Sequence, residues 1–320
     1  MSKIEIQRYD SSLAGQWDQV VDLSRNGTFL HKRGYMDYHK DRFDDHSLLA
    51  TDGKRLIAVM PACRQGDVLA SHGGLTYGGW LMPAKHIDAT VMLNVMEQTL
   101  DHMRSNNLAH LVYNPVPHIY HRYPAEEDLY ALWRCGARID SVRLSTVIDL
   151  HKPLPLDRGS RAAAHAARRN GVTIQSDDAF GQYWALLTDV LDERFGATPV
   201  HTLDEITLLH DRFSENIRLY SARIDGRMVA GVLMFLAGPV ARCQYIAASP
   251  EGRDAKALPL LFEQLIASAA GSGFRYFDFG TSNEQGGRVL NTGLVQQKSR
   301  LGGRGIIYPS YRIDLDPQRP

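Results

Sequence analysis

The sequence predicts an α/β protein with mixed β-sheets, built from two similar halves that pack together. The first observation behind this prediction is that one order of elements occurs twice: helix, helix, hairpin, strand, crossover helix, strand. The second is that each hairpin carries an Asp-Gly pair between apolar runs, Asp52-Gly53 in the first half and Asp225-Gly226 in the second. Asp-Gly is a strong hairpin signal because a type I′ turn needs positive φ at both central residues.

The first half begins with two segments whose apolar residues recur at helical spacing, which predicts two helices. The hairpin and a third strand follow as short apolar runs, and a long amphipathic helix then leads into a final strand. These predicted elements span residues 14–23, 29–39, 48–50, 56–62, 67–70, 84–104 and 109–113, in that order.

The second half repeats this order with the same kinds of pattern. Its predicted elements span residues 180–195, 203–213, 219–222, 228–236, 240–248, 255–270 and 275–279. The last strand of each half leads into polar residues, Asn114 in the first and Asp278 in the second. Because sheets of this kind open at strand ends, each half can carry a cleft there.

A boundary between the halves is predicted over residues 151–157. Pro153 and Pro155 forbid a helix there and favour an extended linker. The sequence therefore predicts an N-terminal domain over residues 1–151 and a C-terminal domain over residues 152–320.

Composition excludes several classes of protein. The formal net charge is zero, so nothing in the overall charge indicates a nucleic-acid or anionic-membrane partner. The three cysteines, Cys63, Cys135 and Cys243, are widely spaced, which argues against a disulfide framework and favours a reducing compartment. No run approaches the ~18 apolar residues that span a bilayer. We expect a cytoplasmic protein without membrane insertion, and its oligomeric state stays open.

Three motifs in the second half carry a family resemblance. They are Arg161-x3-His165-x2-Arg168-Arg169-Asn170-Gly171-Val172, Phe277-Asp278-Phe279-Gly280, and Asn291-x-Gly293-Leu294 followed by Lys298 and Gly302-Gly303. With the order of elements, they resemble the GNAT (N-acetyltransferase) superfamily, and the doubled order resembles tandem, FemAB-like relatives of the Fem peptidyltransferases.

The resemblance implies transfer of an acyl or aminoacyl group to an amine, often in the synthesis of cell-surface polysaccharide or peptidoglycan. It implies acyl-CoA as a co-substrate and no bound cofactor. The phosphates would meet Gly252, Arg253 and Lys256, although this loop has one glycine where the family pattern, Arg/Gln-x-x-Gly-x-Gly/Ala, has two. The long charged helical insertion of some Fem ligases is absent, which makes a tRNA donor less expected.

The chemistry needs a deprotonated amine and donors aimed at the carbonyl oxygen. Asp278 is the leading candidate to orient the amine or take its proton, although an Asp beside Gly280 is as often a turn former. Lys298 offers a positive charge for a phosphate or an oxyanion, and the alternative is a solvated side chain. His118 is a candidate general base because imidazole titrates near neutrality.

Other residues are candidate substrate ligands. The glycine-rich loop 71–80 and the proline-rich loop 114–124 supply several of them, the basic helix near residue 165 supplies one, and the rest follow strands of the second half. Each has a structural alternative, such as a turn, a helix cap or a solvated helix face. The predicted substrate-binding residues are His72, Tyr77, Asn114, Tyr120, Arg169, Tyr245, Asn283 and Asn291. No metal site is expected, because His118 and His121 lack a third ligand.

The sequence thus predicts an N-acyltransferase that moves an acyl group from acyl-CoA to an amino group on a small metabolite or a nucleotide-linked sugar. Two alternatives remain at this stage. One is a Fem-type ligase that uses aminoacyl-tRNA, and the other is a non-catalytic GNAT-fold binding module.

Overall fold

The computed structural model describes residues 3–315, and the chain folds as two compact units. The first unit comprises the chain up to Arg143, the segment Gly286–Arg288 and the chain from Ile307 onward. The second comprises Leu144–Gln285 and Val289–Ile306. The predicted split at residues 151 and 152 stays a prediction about the two halves of the sequence. Residues 1–2 and 316–320 of the predicted domains lie outside the described residues.

The first half of the chain contains eight strands and four α-helices among the described residues. Their bounds are β1 Ile4–Arg8, α1 Ala14–Leu23, α2 Arg33–Met36, β2 Asp44–Asp45, β3 Leu48–Asp52, β4 Arg55–Met60, β5 Cys63–Gln65, β6 Val68–Ala70, α3 Ala89–Ser105, β7 His110–Tyr113, α4 Glu127–Arg134 and β8 Arg138–Asp149. Four 3-10 turns, at Ser11–Leu13, Phe29–His31, Asp37–His39 and His118–Tyr120, lie between them.

The second half opens with a helix and ends with a long strand. Its bounds are α5 Arg158–Arg169, β9 Thr173–Asp177, α6 Phe180–Phe195, α7 Leu203–Arg212, β10 Ile217–Ile224, β11 Arg227–Ala237, β12 Val240–Ala248, α8 Pro250–Asp254, α9 Ala257–Gly271, β13 Tyr276–Thr281, β14 Asn283–Glu284, β15 Val289–Leu290, α10 Thr292–Arg300 and β16 Arg304–Asp314. None of the described helices is both long and apolar enough to cross a membrane.

In the first unit, β1, β3 and β4 form a small antiparallel sheet in the order β1-β3-β4. A second sheet has the order β2-β5-β6-β7-β16, in which only the β6–β7 pair is parallel. The apolar face of α3 packs in this unit's core, where Met92, Val95 and Met96 are completely buried. The helix begins at Ala89 because Asp88 caps it, accepting a hydrogen bond from the Val91 amide.

In the second unit, the strands lie in the order β8-β13-β12-β11-β10-β9. The β12–β13 pair is parallel and the other pairs are antiparallel. Helix α9 is apolar along most of its length and lies in this unit's core with Leu260, Leu261 and Leu265 buried. Helix α5 packs beside it, and its Ala164 and Ala167 are buried.

The α/β prediction is confirmed, and both predicted hairpins form. Gly53 and Gly226 have φ of 60° and 77°, and Asp225 has φ of 47°, as a turn with left-handed central residues requires. Residues 151–157 contain neither helix nor strand, as the two prolines predicted.

Candidate active site

The strongest candidate site lies in the second unit, where β12 and β13 part. Their parallel pairing runs from Val240 and Tyr276 to Arg242 and Asp278. Beyond that point β12 continues to Ala248, whereas β13 turns at Gly280, which has φ of 79°. Two parallel strands that diverge leave space between them, and sheets of this kind bind ligands at such openings.

A bulge in β12 lies at the same place. In the register with β11, Leu233 faces Tyr245 and Met234 faces Cys243, so Gln244 is the extra residue. At a bulge the extra residue is left out of the ladder of backbone hydrogen bonds, and bulges are frequent beside active sites. Gln244 therefore has no partner residue in β11, and it lines the opening between β12 and β13.

A cavity of about 520 Å³ occupies this opening, within the usual size range of ligand pockets. Helices α6, α9 and α10 close it together with the two strands. The lining residues are Val190, Leu191, Arg194, Arg242, Cys243, Gln244, Ile246, Ala247, Ala248, Arg253, Leu258, Phe262, Phe279, Gly280, Thr281, Leu294, Gln297, Lys298 and Leu301. They include four cationic side chains and no carboxylate, so the cavity suits a ligand with an apolar part and negative charge.

A buried ion pair stands beside the cavity. Asp278 is completely buried, and its Oδ2 accepts a hydrogen bond from Nη1 of Arg242 at 3.1 Å. Its Oδ1 accepts from the Ser145 hydroxyl at 2.5 Å and from the Gly280 amide at 2.8 Å. Three donors thus hold the carboxylate, and the carboxylate in turn fixes the Arg242 guanidinium where that side chain lines the cavity.

Lys298 closes the turn that follows β13. Its Nζ donates to the carbonyl oxygens of Gly280 at 2.8 Å and Thr281 at 3.0 Å, and to the Ser282 hydroxyl at 2.8 Å. Burial lowers the pKa of the Lys298 ammonium to about 8, against the opposing attraction of the Asp278 carboxylate. The lysine therefore fixes the bend of β13 and brings a partly desolvated charge to the cavity wall.

Comparison with known proteins gives a family match over part of the chain. Residues 156–285, which include β12 and β13, match a family model described as the acetyltransferase (GNAT) domain. This part of the chain therefore matches the GNAT acetyltransferase family. No curated protein matches the chain in sequence.

Solved structures resemble the fold of nearly the whole chain. FemX has a TM-score of 0.69 at 13% identity, with 97% of each chain covered. L-PGS from Bacillus licheniformis has a TM-score of 0.60 at 12% identity, with 97% of this chain and 93% of that chain covered. A tandem GNAT protein from the clavulanic acid biosynthesis pathway has a TM-score of 0.50 at 12% identity, with 99% of this chain and all of that chain covered.

At these identities the likeness concerns the fold, and the fold is that of tandem, FemAB-like GNAT proteins. The family match makes this chain an acyltransferase. It favours an enzyme over the non-catalytic binding module that the sequence left open.

The structure brings together two of the three predicted catalytic residues. Asp278 and Lys298 both contact the turn at Gly280. Asp278 does not line the cavity, because Arg242 and Ser145 cover it, so direct contact with an amine stays a prediction. His118 is exposed on a 3-10 turn of the first unit, and its role as a base also stays a prediction.

The predicted phosphate loop forms a short helix, α8. Gly252 is buried, and its amide donates to the Ser249 hydroxyl that caps this helix. The Arg253 amide donates to the Ser249 carbonyl and the Lys256 amide to the Arg253 carbonyl. The Arg253 side chain lines the cavity, while Lys256 is exposed with φ of 61°. The side chains here are available to phosphates, but these amides are already hydrogen-bonded.

The predicted substrate ligands of the second unit have structural partners. The Asn283 side chain accepts from the Leu144 amide at 2.5 Å, and Asn291 caps α10 by accepting from the Leu294 amide at 3.0 Å. The Tyr245 hydroxyl lies 2.7 Å from Nδ1 of His201. Arg169 is exposed at the end of α5. None of these four residues lines the cavity.

The predicted ligands of the first unit are mostly buried and have partners within the protein. The rings of Tyr77 and Tyr120 are buried 4.5 Å apart, and the Asn114 amide donates to the Ser71 hydroxyl. His72 is buried with φ of 48°, and burial lowers its pKa to about 4. No group of three or more potential metal ligands occurs among residues 3–315. Substrate binding by the first unit stays a prediction.

Sequence reasoning missed Arg242, Gln244 and Ser145. Arg242 carried a usable signal, because a single arginine within an otherwise apolar strand needs a buried partner. Gln244 and Ser145 gave no signal, since their roles depend on the bulge and on the pairing of β8 with β13.

Proposed function

We propose that the chain is an N-acyltransferase that binds its acyl donor in the cavity between β12 and β13. The donor is acyl-CoA, and the acceptor is an amino group on a small metabolite or a nucleotide-linked sugar. The observation that carries this proposal is the cationic, carboxylate-free cavity at the point where the two strands part.

In the proposed reaction an amine attacks the thioester of the donor, and the bulge in β12 supplies a hydrogen-bond donor for the carbonyl oxygen. The lone pair of the neutral amine attacks the thioester carbon and forms the C–N bond, the C–S bond breaks, and the leaving thiolate takes up the proton that the nitrogen loses. Negative charge develops on the carbonyl oxygen in between, and a fixed donor at that oxygen lowers the barrier. The backbone amide of Gln244 is the donor that we assign to this role, because the bulge leaves it outside the strand pairing.

The charged side chains bind the donor and hold the site in shape. Arg253 is exposed at the cavity wall and meets phosphate groups, for which a guanidinium is well suited. Arg242 is fixed by Asp278, and Lys298 fixes the turn at Gly280. We assign Asp278 and Lys298 positioning roles, since their polar atoms are engaged within the protein.

A second candidate donor is aminoacyl-tRNA, which would make the chain a Fem-type ligase. The occupied amides of α8 favour it, because an orthodox CoA site uses free amides of this loop for the pyrophosphate. The full-length likeness to FemX is compatible with it. In this reaction the ester C–O bond to the ribose breaks in place of the C–S bond.

A thermal-shift screen tests the proposal and separates the donors. A ligand that binds the native state raises the melting midpoint by mass action. We expect acetyl-CoA and longer acyl-CoA thioesters to raise it and an aminoacylated RNA stem-loop to have no effect. The opposite result would favour the Fem-type ligase, and its binding would fall steeply with added salt. If neither donor shifts the midpoint at millimolar concentration, the proposed donor site is wrong.

A further inference from the structure

A second cavity lies within the first unit, between α1, β4 and the loop that precedes α3. Its volume is about 490 Å³ and it shares no residue with the active-site cavity. The lining residues are Gln16, Gln19, Val20, Leu23, Arg55, Leu56, Ile57, Pro83, Ala84, Lys85 and His86.

The floor of this cavity is apolar. Val20 from α1 and Ile57 from β4 are buried, and Leu56 and Pro83 are partly exposed between them. Leu23 lies at the mouth with 62% of its surface exposed, so it extends the apolar surface to the cavity entrance. An aliphatic group in the cavity would remove these side chains from water, which is favourable in proportion to the apolar area covered.

The rim is cationic. Arg55 and Lys85 are exposed, and Nη1 of Arg55 lies 3.3 Å from Nδ1 of His86. His86 has φ of 74°, a left-handed conformation that non-glycine residues rarely adopt, and such strained residues cluster at ligand sites.

No carboxylate among the described residues neutralises this rim. None lines the cavity, and neither Arg55 nor Lys85 forms an ion pair within residues 3–315. Of the acidic residues nearby, Asp22 is paired with Lys32 and Asp88 caps α3. Asp52 is the register partner of Arg55 in the β3–β4 hairpin, but it does not line the cavity and forms no ion pair with Arg55. A cationic rim over an apolar floor is complementary to a ligand with an anionic head and an apolar body.

We propose that this cavity binds a phosphate group carried on an aliphatic chain. The phosphate meets Arg55 and Lys85, and the chain lies against Val20, Leu23 and Ile57. The same chemistry occurs in a soluble alkyl phosphate and in an anionic phospholipid. This site is separate from acyl transfer and does not depend on the proposed function.

Calorimetric titration with octyl phosphate below its micelle concentration tests the site. We expect saturable binding to the wild-type protein, about tenfold weaker binding to the double variant Arg55→Glu, Lys85→Glu, and weaker binding at higher salt. Lys40→Glu is the matched control, because Lys40 is an exposed lysine of the same unit that does not line the cavity. Leu23→Gln tests the apolar part and should weaken octyl phosphate binding without altering the melting midpoint.

Three further probes complete the experiment. Inorganic phosphate and octyl glucoside carry the two halves of the ligand separately, and each should bind more weakly than octyl phosphate. Vesicles of phosphatidylcholine with and without phosphatidic acid distinguish the sources. Binding to the acidic vesicles assigns a lipid, and octyl phosphate binding without vesicle binding assigns a soluble phosphate. The proposal would be overturned if the wild type and the double variant bound octyl phosphate equally well. It would also be overturned if the wild type bound octyl glucoside as tightly as octyl phosphate.

Discussion

The charge of Lys298 is partly buried, and it forms hydrogen bonds within the protein. Its ammonium satisfies two carbonyl oxygens and a hydroxyl, while burial lowers its pKa to about 8 from the usual 10.5. Folding therefore favours the neutral amine relative to the unfolded chain, and the native state binds fewer protons in this pH range.

The first prediction concerns the pH dependence of stability. Between about pH 8 and pH 10.5 the unfolded lysine is protonated and the native one is not, so stability rises with pH through this window. The free energy of unfolding of the wild type should thus increase relative to that of Lys298→Met. Urea titrations of both proteins from pH 7 to 10.5 measure this difference, with Lys152→Met as the exposed control. A constant difference would show that the lysine is not desolvated.

The second prediction concerns the buried pair of Asp278 and Arg242. Asp278→Asn removes the charge that compensates a buried guanidinium, which costs about 3 kcal/mol of stability. Asp225→Asn, in the exposed hairpin turn, is the control and should be nearly neutral. If Asp278→Asn melts like the wild type and only turnover falls, Asp278 acts on substrate directly.

For individual residues, the sequence predicted which side chains lie close together better than it predicted what each side chain does. The strand end at Asp278 and the lysine after it do meet at Gly280, because only the short β14–β15 hairpin separates β13 from α10 in the chain. The role of Asn291 could not be separated from capping, since an amide side chain that caps a helix has the same sequence pattern as a ligand. The contact of Asn283 with the Leu144 amide could not be predicted, because Leu144 lies in β8, far away in the sequence.

Helix α8 is the element in which this chain departs most from the family pattern. A Cβ atom on Gly252 would lie 2.2 Å from the Val229 carbonyl oxygen, so the glycine allows α8 to pack on β11. The glycine that sequence reasoning assigned to a phosphate is therefore needed for packing. Whether it also meets a phosphate stays a prediction.

The third prediction tests this element. Gly252→Ala should destabilise the protein by about 1–3 kcal/mol, since α8 must move away from the strand. Gly271→Ala is the matched control, because Gly271 ends α9 with nothing within 4 Å of the added methyl group. It should stabilise by roughly 0.5–1 kcal/mol through helix propensity. Chemical denaturation measures both, and an equal effect of the two substitutions would contradict the packing role.

Elements differ in how far the sequence predicts them. Both hairpins were predicted because an Asp-Gly turn is local chemistry. The bulge at Gln244 and the parting of β12 from β13 were not, because each depends on the register of strands that lie far apart in sequence.

For the whole molecule, the repeated order of elements was enough to predict the fold class. The path of the C-terminal strand was not predictable, since the pairing of β16 with β7 in the first unit joins residues about 200 apart, without a local signal.

The buried histidines of the first unit affect the stability of that unit as a whole. Burial lowers the pKa of His31, His46 and His72 to about 4.

The fourth prediction is acid sensitivity of the first unit. Below pH 6.5 the unfolded histidines take up protons that the native ones resist until about pH 4, so stability falls as the pH drops through this window. Hydrogen exchange should show β3 and β4 losing protection before β10 and β11. Replacing His46 with Gln should reduce the pH dependence, and Gln in place of the exposed His118 should leave it unchanged. Simultaneous loss of protection in both units would contradict this order.

The central claim is that the acyl donor binds where β12 and β13 part. The most direct measurement is a crystal structure of the protein with whichever donor raises its melting midpoint. The account predicts the donor carbonyl in the cavity of the second unit, with its oxygen at the amide of Gln244 and its phosphates near Arg253. A donor carbonyl bound in the first unit, or on the surface away from Gly280, would contradict it.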